Sequence, residues 1–92
     1  MESRRVELSV TFLRAGKRYV AFSPALDLST SGKTFAEARR HFEEAADLFL
    51  TELDEMGTLD QTLTALGWRK LERRWTPPVL VAQENSQVRI PA

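Results

Sequence analysis

Residues 34–56 read TFAEARRHFEEAADLFLTELDEM, and this stretch decides the fold. Its apolar side chains recur every three or four residues, which is the period of one face of an α-helix. They are Phe35, Ala38, Phe42, Ala45, Phe49, Leu53 and Met56. Thr34 and Glu37 have the spacing of a capping box, and Gly57 is placed to cap the far end. The stretch therefore predicts a long amphipathic helix from Thr34 to Met56, with those seven side chains as its inner stripe.

The residues before this helix predict three short strands. Apolar and polar side chains alternate from Val6 to Phe12, which is the period of a half-buried strand. A turn at residues 14–17 leads to a second strand at residues 19–22, and residues 26–30 read as a third. Short connections make these strands a three-stranded antiparallel meander. The predicted class is α+β, with the meander covered by the long helix.

The residues after the helix predict a short helix and further strands. Thr58 and Gln61 have the spacing of a second capping box, which predicts a helix over residues 59–66. Residues 68–75 fit either a strand or a helical turn, and the segments 79–82 and 88–90 are strand-like. We expect one domain over residues 1–92, with its core in residues 5–66 and a C-terminal extension in residues 67–92.

Length and composition limit the class of protein. Ninety-two residues make one domain with a modest core. The chain has no cysteine, so disulfides and thiolate metal sites are excluded, and a reducing compartment, the cytoplasm, is expected. No apolar run approaches the roughly 18 residues of a membrane span, and residues 1–5 do not resemble a signal peptide.

The pattern of reactive side chains predicts no enzyme, no cofactor and no metal. His41 is the only histidine, and nothing around Ser23, Ser29 or Ser31 resembles a nucleophile elbow. His41 is expected to be a boundary side chain, and Asp27 to have a turn or strand-end role. A hydrolase using Asp27, His41 and a helix carboxylate is the least favoured alternative. The carboxylate pairs Glu43–Asp47 and Glu44–Asp47 are expected to be solvated, which disfavours acid–base chemistry.

Charge is segregated along the chain although the formal net charge is zero. Residues 1–33 have a balance of +3, residues 34–66 of −6 and residues 67–92 of +3. The outer helix face is therefore a candidate site for a basic partner, or else an ordinary solubilising face. Its candidate partner-binding residues are Glu37, Glu44, Asp47 and Asp54.

A second candidate surface is the segment WRKLERRW at residues 68–75. Interleaved tryptophan and arginine are typical of protein interfaces and of surfaces that stack bases and contact phosphates. The alternative is that both tryptophans cover the end of the core. The candidate residues here are Trp68, Arg73, Arg74 and Trp75. The strand-like residues 79–90 further predict a homodimer or higher oligomer in which sheet edges or C-terminal strands meet.

The centre of the chain resembles the HicB-like antitoxin family. Residues 19–26 read YVAFSPAL, residues 31–38 read SGKTFAEA, and Phe42, Ala45 and Leu48 follow at helical spacing. This is similar to the family's aromatic-rich strand, proline turn and Gly-x-Thr-x-x-Glu-Ala helix start, over about residues 18–53. One departure is the sequence Ala-Leu-Asp-Leu after Pro24, where family members often have a Pro-Gly step.

The resemblance implies a degenerate ribonuclease-H-like fold, β-β-β-α-β, that has lost catalysis. It implies a prokaryotic cytoplasmic protein that oligomerises and that binds and neutralises a small RNA-cleaving toxin of the HicA type. Many members have a C-terminal helix-turn-helix or ribbon-helix-helix, whereas residues 67–92 contain tandem prolines and no helix pair, so direct DNA binding is not expected. The alternatives are an orphan oligomerisation or scaffold domain of the same fold, and a small RNA-binding protein that uses residues 68–75.

Overall fold

A computed structural model describes residues 5–91, and the prediction for the extreme N-terminus therefore lies mostly outside the described residues. The described residues form five strands and two helices. They are the strands β1 (Thr11–Ala15), β2 (Arg18–Ser23) and β3 (Leu28–Gly32), the helices α1 (Phe35–Met56) and α2 (Leu59–Ala65), and the strands β4 (Arg69–Leu71) and β5 (Arg74–Thr76). The predicted α+β class, with a meander followed by one long helix, is confirmed.

The meander is held by two antiparallel pairings around the central strand β2. Leu13 lies opposite Val20, and Val20 lies opposite Ser31 on the other side. Gly16 takes a φ of 63° in the tight turn between β1 and β2, a conformation that favours glycine. The predicted strand over residues 6–12 is wrong for its first half, because β2 ends at Ser23 and leaves residues 5–10 without a partner strand.

The two ends of α1 are capped as its sequence predicts. The Glu37 amide donates a hydrogen bond to Thr34 Oγ1 at 3.0 Å, and the Gly57 amide donates to the Asp54 carbonyl at 3.1 Å. The second predicted capping box is wrong, because the Thr58 hydroxyl donates to the Leu53 carbonyl and does not cap α2.

The inner stripe of α1 is confirmed at its centre and wrong at its ends. Ala38 and Phe42 are buried against β2 and β3, together with Ala46, which the pattern did not include. Phe35 and Met56 are exposed. A 22-residue helix is about 33 Å long, whereas strands of five or six residues span only about 20 Å. The helix therefore extends past the sheet, and Met56 has nothing beneath it to cover it.

The helix approaches the sheet closely at Gly32, the last residue of β3. A Cβ atom built on Gly32 would lie 2.6 Å from the Ala38 amide nitrogen. The Thr30 hydroxyl also donates to the Ala38 carbonyl at 3.3 Å. Glycine at this position therefore sets the distance between the sheet and the first turns of α1.

The C-terminal quarter differs most from expectation. Strands β4 and β5 form a separate two-stranded sheet, so residues 68–75 contain a hairpin. The predicted strands at residues 79–82 and 88–90 are wrong, since residues 77–91 have neither helix nor strand. A strand needs a partner for its backbone groups, and within residues 5–91 no strand pairs with this segment.

Candidate partner-binding surfaces

The outer side of α1 is an acidic face with exposed carboxylates. Its members are Glu43, Glu44, Asp47, Glu52, Asp54 and Glu55. No basic residue lies between Glu43 and Met56. The nearest cation on the helix is Arg40, whose Nε lies 3.9 Å from Glu44 Oε1 in an exposed i,i+4 pair, which is a weak interaction. The predicted positions Glu44, Asp47 and Asp54 therefore all belong to this face.

One large apolar side chain, Leu48, is exposed within the same face, and Met56 is exposed beyond the end of the sheet. Glu44, Leu48 and Glu52 follow one another at intervals of four residues, so they lie in one row along the helix. Met56 lies five helical turns after the buried Ala38 and therefore on the inner side, beyond the sheet. Leu48 is 59% exposed and Met56 is 70% exposed. The helical pattern predicts Met56, but not Leu48, as part of the inner stripe. The signal for the exposure of Met56 is the length of the helix, which is greater than the length of the predicted strands.

The acidic face also opposes the helix dipole. The C-terminal end of a helix has a partial negative charge, which favours cationic side chains in the last turn. The last turn of α1 contains no basic residue, whereas Glu52, Asp54 and Glu55 lie in or beside it. These charges destabilise the isolated helix, so the sequence departs here from what local stability favours.

Glu37 has a structural role that separates it from the other acidic candidates. Its Oε1 accepts a hydrogen bond from the Lys33 amide at 3.1 Å, one residue earlier than the usual partner in a capping box. This backbone hydrogen bond holds the pKa of the Glu37 carboxyl below its ordinary value. The carboxylate caps the helix start, so it is not a free surface charge.

Trp68 is buried, which corrects its assignment to a partner-binding surface. The side chain is only 4% exposed, and its Nε1–H donates to the Ala25 carbonyl at 2.7 Å. Trp68 thus joins the turn after β2 to the end of α2 and belongs to the core. It cannot stack on a base or a partner without unfolding this end of the molecule.

The hairpin of β4 and β5 presents the other residues of the second candidate surface. Glu72 and Arg73 form its two-residue turn with φ values of 51° and 67°, a conformation that costs non-glycine residues energy. Trp75 is half-buried against the core, and Lys70 Nζ lies 5.5 Å from the centre of its ring. Arg73 and Arg74 are exposed.

An open cavity of about 540 Å³ lies between this hairpin and the helices. Arg5, Arg73 and Arg74 line it together with apolar side chains. The apolar lining residues are Val6, Leu50, Leu59, Leu63, Trp68 and Trp75. Within residues 5–91, no carboxylate oxygen lies within 4.0 Å of these three guanidinium groups. The cavity therefore combines an apolar lining with positive charge that is not paired within these residues.

The reactive side chains do not assemble into a recognisable catalytic arrangement. The Ser23 hydroxyl is fully buried without a hydrogen-bond partner among the described residues, so no substrate can reach it. His41 is half-buried, as expected, and its Nδ1 lies 2.7 Å from the Ser31 carbonyl oxygen, which can only accept. Asp27 has the expected turn role, and its amide donates to the Pro24 carbonyl. Residues 5–91 contain no group of three potential metal ligands.

Comparison with family models, curated proteins and solved structures finds no match to this chain. Among the described residues, neither helix combines the length and the apolar character needed to cross a bilayer.

Proposed function

We propose that this protein is a non-catalytic binding module, and that its partner is a small basic protein that docks on the acidic face of α1. One observation carries the proposal: exposed carboxylates surround the exposed side chain of Leu48 on the outer side of α1. Charge supplies selectivity and a fast association rate, and the exposed apolar side chain supplies surface to bury.

The position of the charges supports a partner over simple solubility. A solubilising face would be as effective with acidic residues at the helix start, where the dipole favours them. Here the carboxylates accumulate toward the C-terminal end, where they cost stability. A cationic partner would neutralise both the carboxylates and the end of the dipole.

The resemblance to the HicB-like family gives this partner a chemical identity. An RNA-cleaving toxin of the HicA type must contact phosphates, so its active surface should be basic. An acidic helix that covers that surface would exclude RNA and neutralise the toxin. We propose the cytoplasm as the compartment, since the chain has no cysteine and the toxin's substrate is there.

The test is binding by the full chain and by a charge-reversed variant. Glu44→Lys combined with Asp47→Lys should weaken the complex with the small basic partner by at least about tenfold, because two attractive contacts become repulsive. The partner is obtained by affinity capture from the host and identified by mass spectrometry. Calorimetric titration with the purified partner then gives the affinity.

A matched control is Glu84→Lys, which reverses an exposed acidic residue in the C-terminal tail. This variant should bind like the wild type. Equal affinity for the helix variant and the wild type would contradict the proposal. If the captured basic protein has no ribonuclease activity, the acidic face of α1 remains the proposed docking surface. The scaffold function is then favoured over the antitoxin function.

A second candidate function is RNA binding at the cavity beside the hairpin, favoured by its three arginines and by Trp75. With Trp68 buried, Trp75 is the only tryptophan of the segment that remains accessible for stacking. Binding of a short single-stranded RNA should weaken with salt and be lost in Arg73→Ala combined with Arg74→Ala. Salt-independent or absent RNA binding would exclude this function.

A further inference from the structure

The C-terminal tail, residues 77–91, lies outside the fold although it is apolar. Four of its side chains, Val79, Val81, Val88 and Ile90, are between 81% and 94% exposed. Val79 and Val81 are two residues apart, as are Val88 and Ile90, so the two members of each pair would share one face of a strand. The tail therefore has the pattern of a half-buried strand without a surface to pack on.

The composition of the tail combines features of a linker with features of a strand. Disordered segments are enriched in proline, glutamine and serine, of which residues 77–91 contain six, and they have few β-branched residues. Residues 77–91 contain only Glu84 and Arg89 as charged residues, but four β-branched side chains. Leaving such a segment in water has no benefit for a monomer and favours aggregation.

The dimensions of the whole chain lead to the same conclusion. Its radius of gyration is 15.5 Å, whereas a compact domain of this length has about 12 Å. Its accessible surface is 7946 Å², whereas a compact monomer of this size exposes about 5,400 Å². The excess of about 2,500 Å² per chain exceeds what one partner contributes to an ordinary stable interface, about 800 Å².

The three-stranded sheet offers a surface for this tail. Strand β1 is at one edge of the sheet, and among residues 5–91 no strand pairs with its outer side. On the face opposite α1, Leu13 is exposed beside Val20, its partner on β2. The tail already approaches this edge, since Gln83 Nε2 donates to Thr11 Oγ1 at 2.9 Å.

We propose that two copies of this chain form a symmetric dimer by exchanging their tails. The tail of each copy adds as a strand to the free edge of β1 in the other copy, and its valines lie beside Leu13 on the sheet face opposite α1. Backbone hydrogen bonds satisfy the open edge, and the apolar alternation of the tail matches the exposed sheet face. The exchange is reciprocal, because each copy donates its tail and accepts the tail of the other. The two identical contacts therefore give a closed dimer.

A second copy suits this surface better than a basic protein does. The tail has one acidic and one basic residue, so it offers no charge to a strongly charged partner. The acidic face lies on the outer side of α1, and α1 covers the opposite face of the sheet from the one that Leu13 occupies. Self-association and the proposed partner binding therefore use separate surfaces, and one can fail without the other.

The first test is sedimentation equilibrium of the full chain at micromolar concentration. The wild type should have the mass of two chains, and Val81→Asp combined with Ile90→Asp should have the mass of one. Leu48→Asp, an equally polar change on the acidic face of α1, should remain dimeric. A monomeric wild type, or a dimer that the tail substitutions leave intact, would overturn the proposal.

Cross-linking then tests the position of the tail, and the absence of cysteine makes it specific. A mixture of Leu13→Cys chains and Val81→Cys chains should form disulfide-linked heterodimers on oxidation. A mixture of Leu48→Cys and Val81→Cys chains should not. Cross-linking that is equal in both mixtures would contradict strand addition at β1. Circular dichroism verifies that each variant keeps the wild-type secondary structure.

Discussion

Trp68 is a buried residue that joins two distant parts of the chain. Its indole N–H bonds to the Ala25 carbonyl, 43 positions earlier in the sequence. Trp68→Phe should remove this bond, leave a buried carbonyl without its donor and open a small cavity. We expect a loss of about 2–3 kcal/mol in the free energy of unfolding, measured by urea denaturation.

Trp75→Phe is the comparison for this variant, because Trp75 is only half-buried. It should cost clearly less than Trp68→Phe. A Trp68→Phe variant as stable as the wild type would show that Trp68 does not belong to the core, and would return it to the set of surface candidates.

Gly32 is the residue that sets the contact between the sheet and α1. Gly32→Ala would place a Cβ atom 2.6 Å from the Ala38 nitrogen and 2.9 Å from the Glu37 carbonyl carbon. Both atoms are backbone, so the helix itself must shift, at a cost of about 1–3 kcal/mol. Thermal unfolding measures the effect.

Gly16→Ala separates this steric cost from the cost of backbone conformation. Gly16 has a φ of 63° but open space around it, so its substitution should cost only about 1 kcal/mol. A greater loss of stability at Gly16 than at Gly32 would contradict the close approach of β3 and α1.

Glu37 links the start of α1 to pH. Because the Lys33 amide stabilises the ionised carboxylate, the pKa of Glu37 in the folded protein lies below its ordinary value of 4.5. A lowered pKa stabilises the folded state at pH values above 4.5, and this contribution is lost as the pH falls through the folded-state pKa. Glu37→Gln should therefore lose less stability than the wild type between about pH 6 and about pH 3.

Denaturation across that pH range checks the sign. Glu84→Gln, a change in the tail, should retain the wild-type dependence on pH. If Glu37→Gln and the wild type had parallel profiles, the hydrogen bond from Lys33 would not stabilise the carboxylate.

The element with the clearest conflict between stability and proposed function is the C-terminal end of α1. Glu55→Lys places a cation beside the negative end of the helix dipole, and we expect a gain of about 0.3–1 kcal/mol in stability. The same change should weaken binding to a basic partner. Thermal unfolding and calorimetric titration measure the two effects.

Glu43→Lys is the matched reversal away from the last turn of the same helix. It should not raise stability, since Arg39 and Arg40 precede it by one turn. A Glu55→Lys variant that is less stable than the wild type would contradict the interpretation of the last turn.

The elements that could be predicted from the sequence are those specified by local signals. Thr34, Gly57 and the helical period define α1 within the chain segment itself, and the prediction was correct to one residue. Whether Val79 forms a strand depends instead on a partner strand, which no local pattern reveals. The hairpin of β4 and β5 has a different obstacle to prediction. Its turn contains Glu72 and Arg73, whereas a tight hairpin favours glycine or asparagine at those positions.

At the scale of the whole molecule, burial and hydrogen bonding determine which candidate residues are available to bind a partner. Trp68 and Glu37 were reasonable surface candidates by residue type, but one is in the core and the other caps the helix. Met56 was predicted in the inner stripe, but the helix extends past the sheet and leaves it exposed. The burial of these side chains depends on relative element lengths and on long-range contacts, and both are set by the assembled fold.

The resulting molecule has two unpartnered surfaces with different chemistry. The acidic face of α1 is charged and matches a cationic protein, whereas the tail and the edge of β1 are apolar and match each other. The acidic face is the side of α1 that points away from the sheet. A dimer formed through the tails would therefore leave both acidic faces exposed. A partner complex with equal numbers of both chains is then expected.

The most direct measurement for the central claim is calorimetric titration of the captured basic partner into the wild type and into Glu44→Lys combined with Asp47→Lys. We predict saturable binding to the wild type, weakened by rising salt, and at least about tenfold weaker binding to the variant. Equal affinity for the two proteins, or binding that does not respond to salt, would contradict docking on the acidic face of α1.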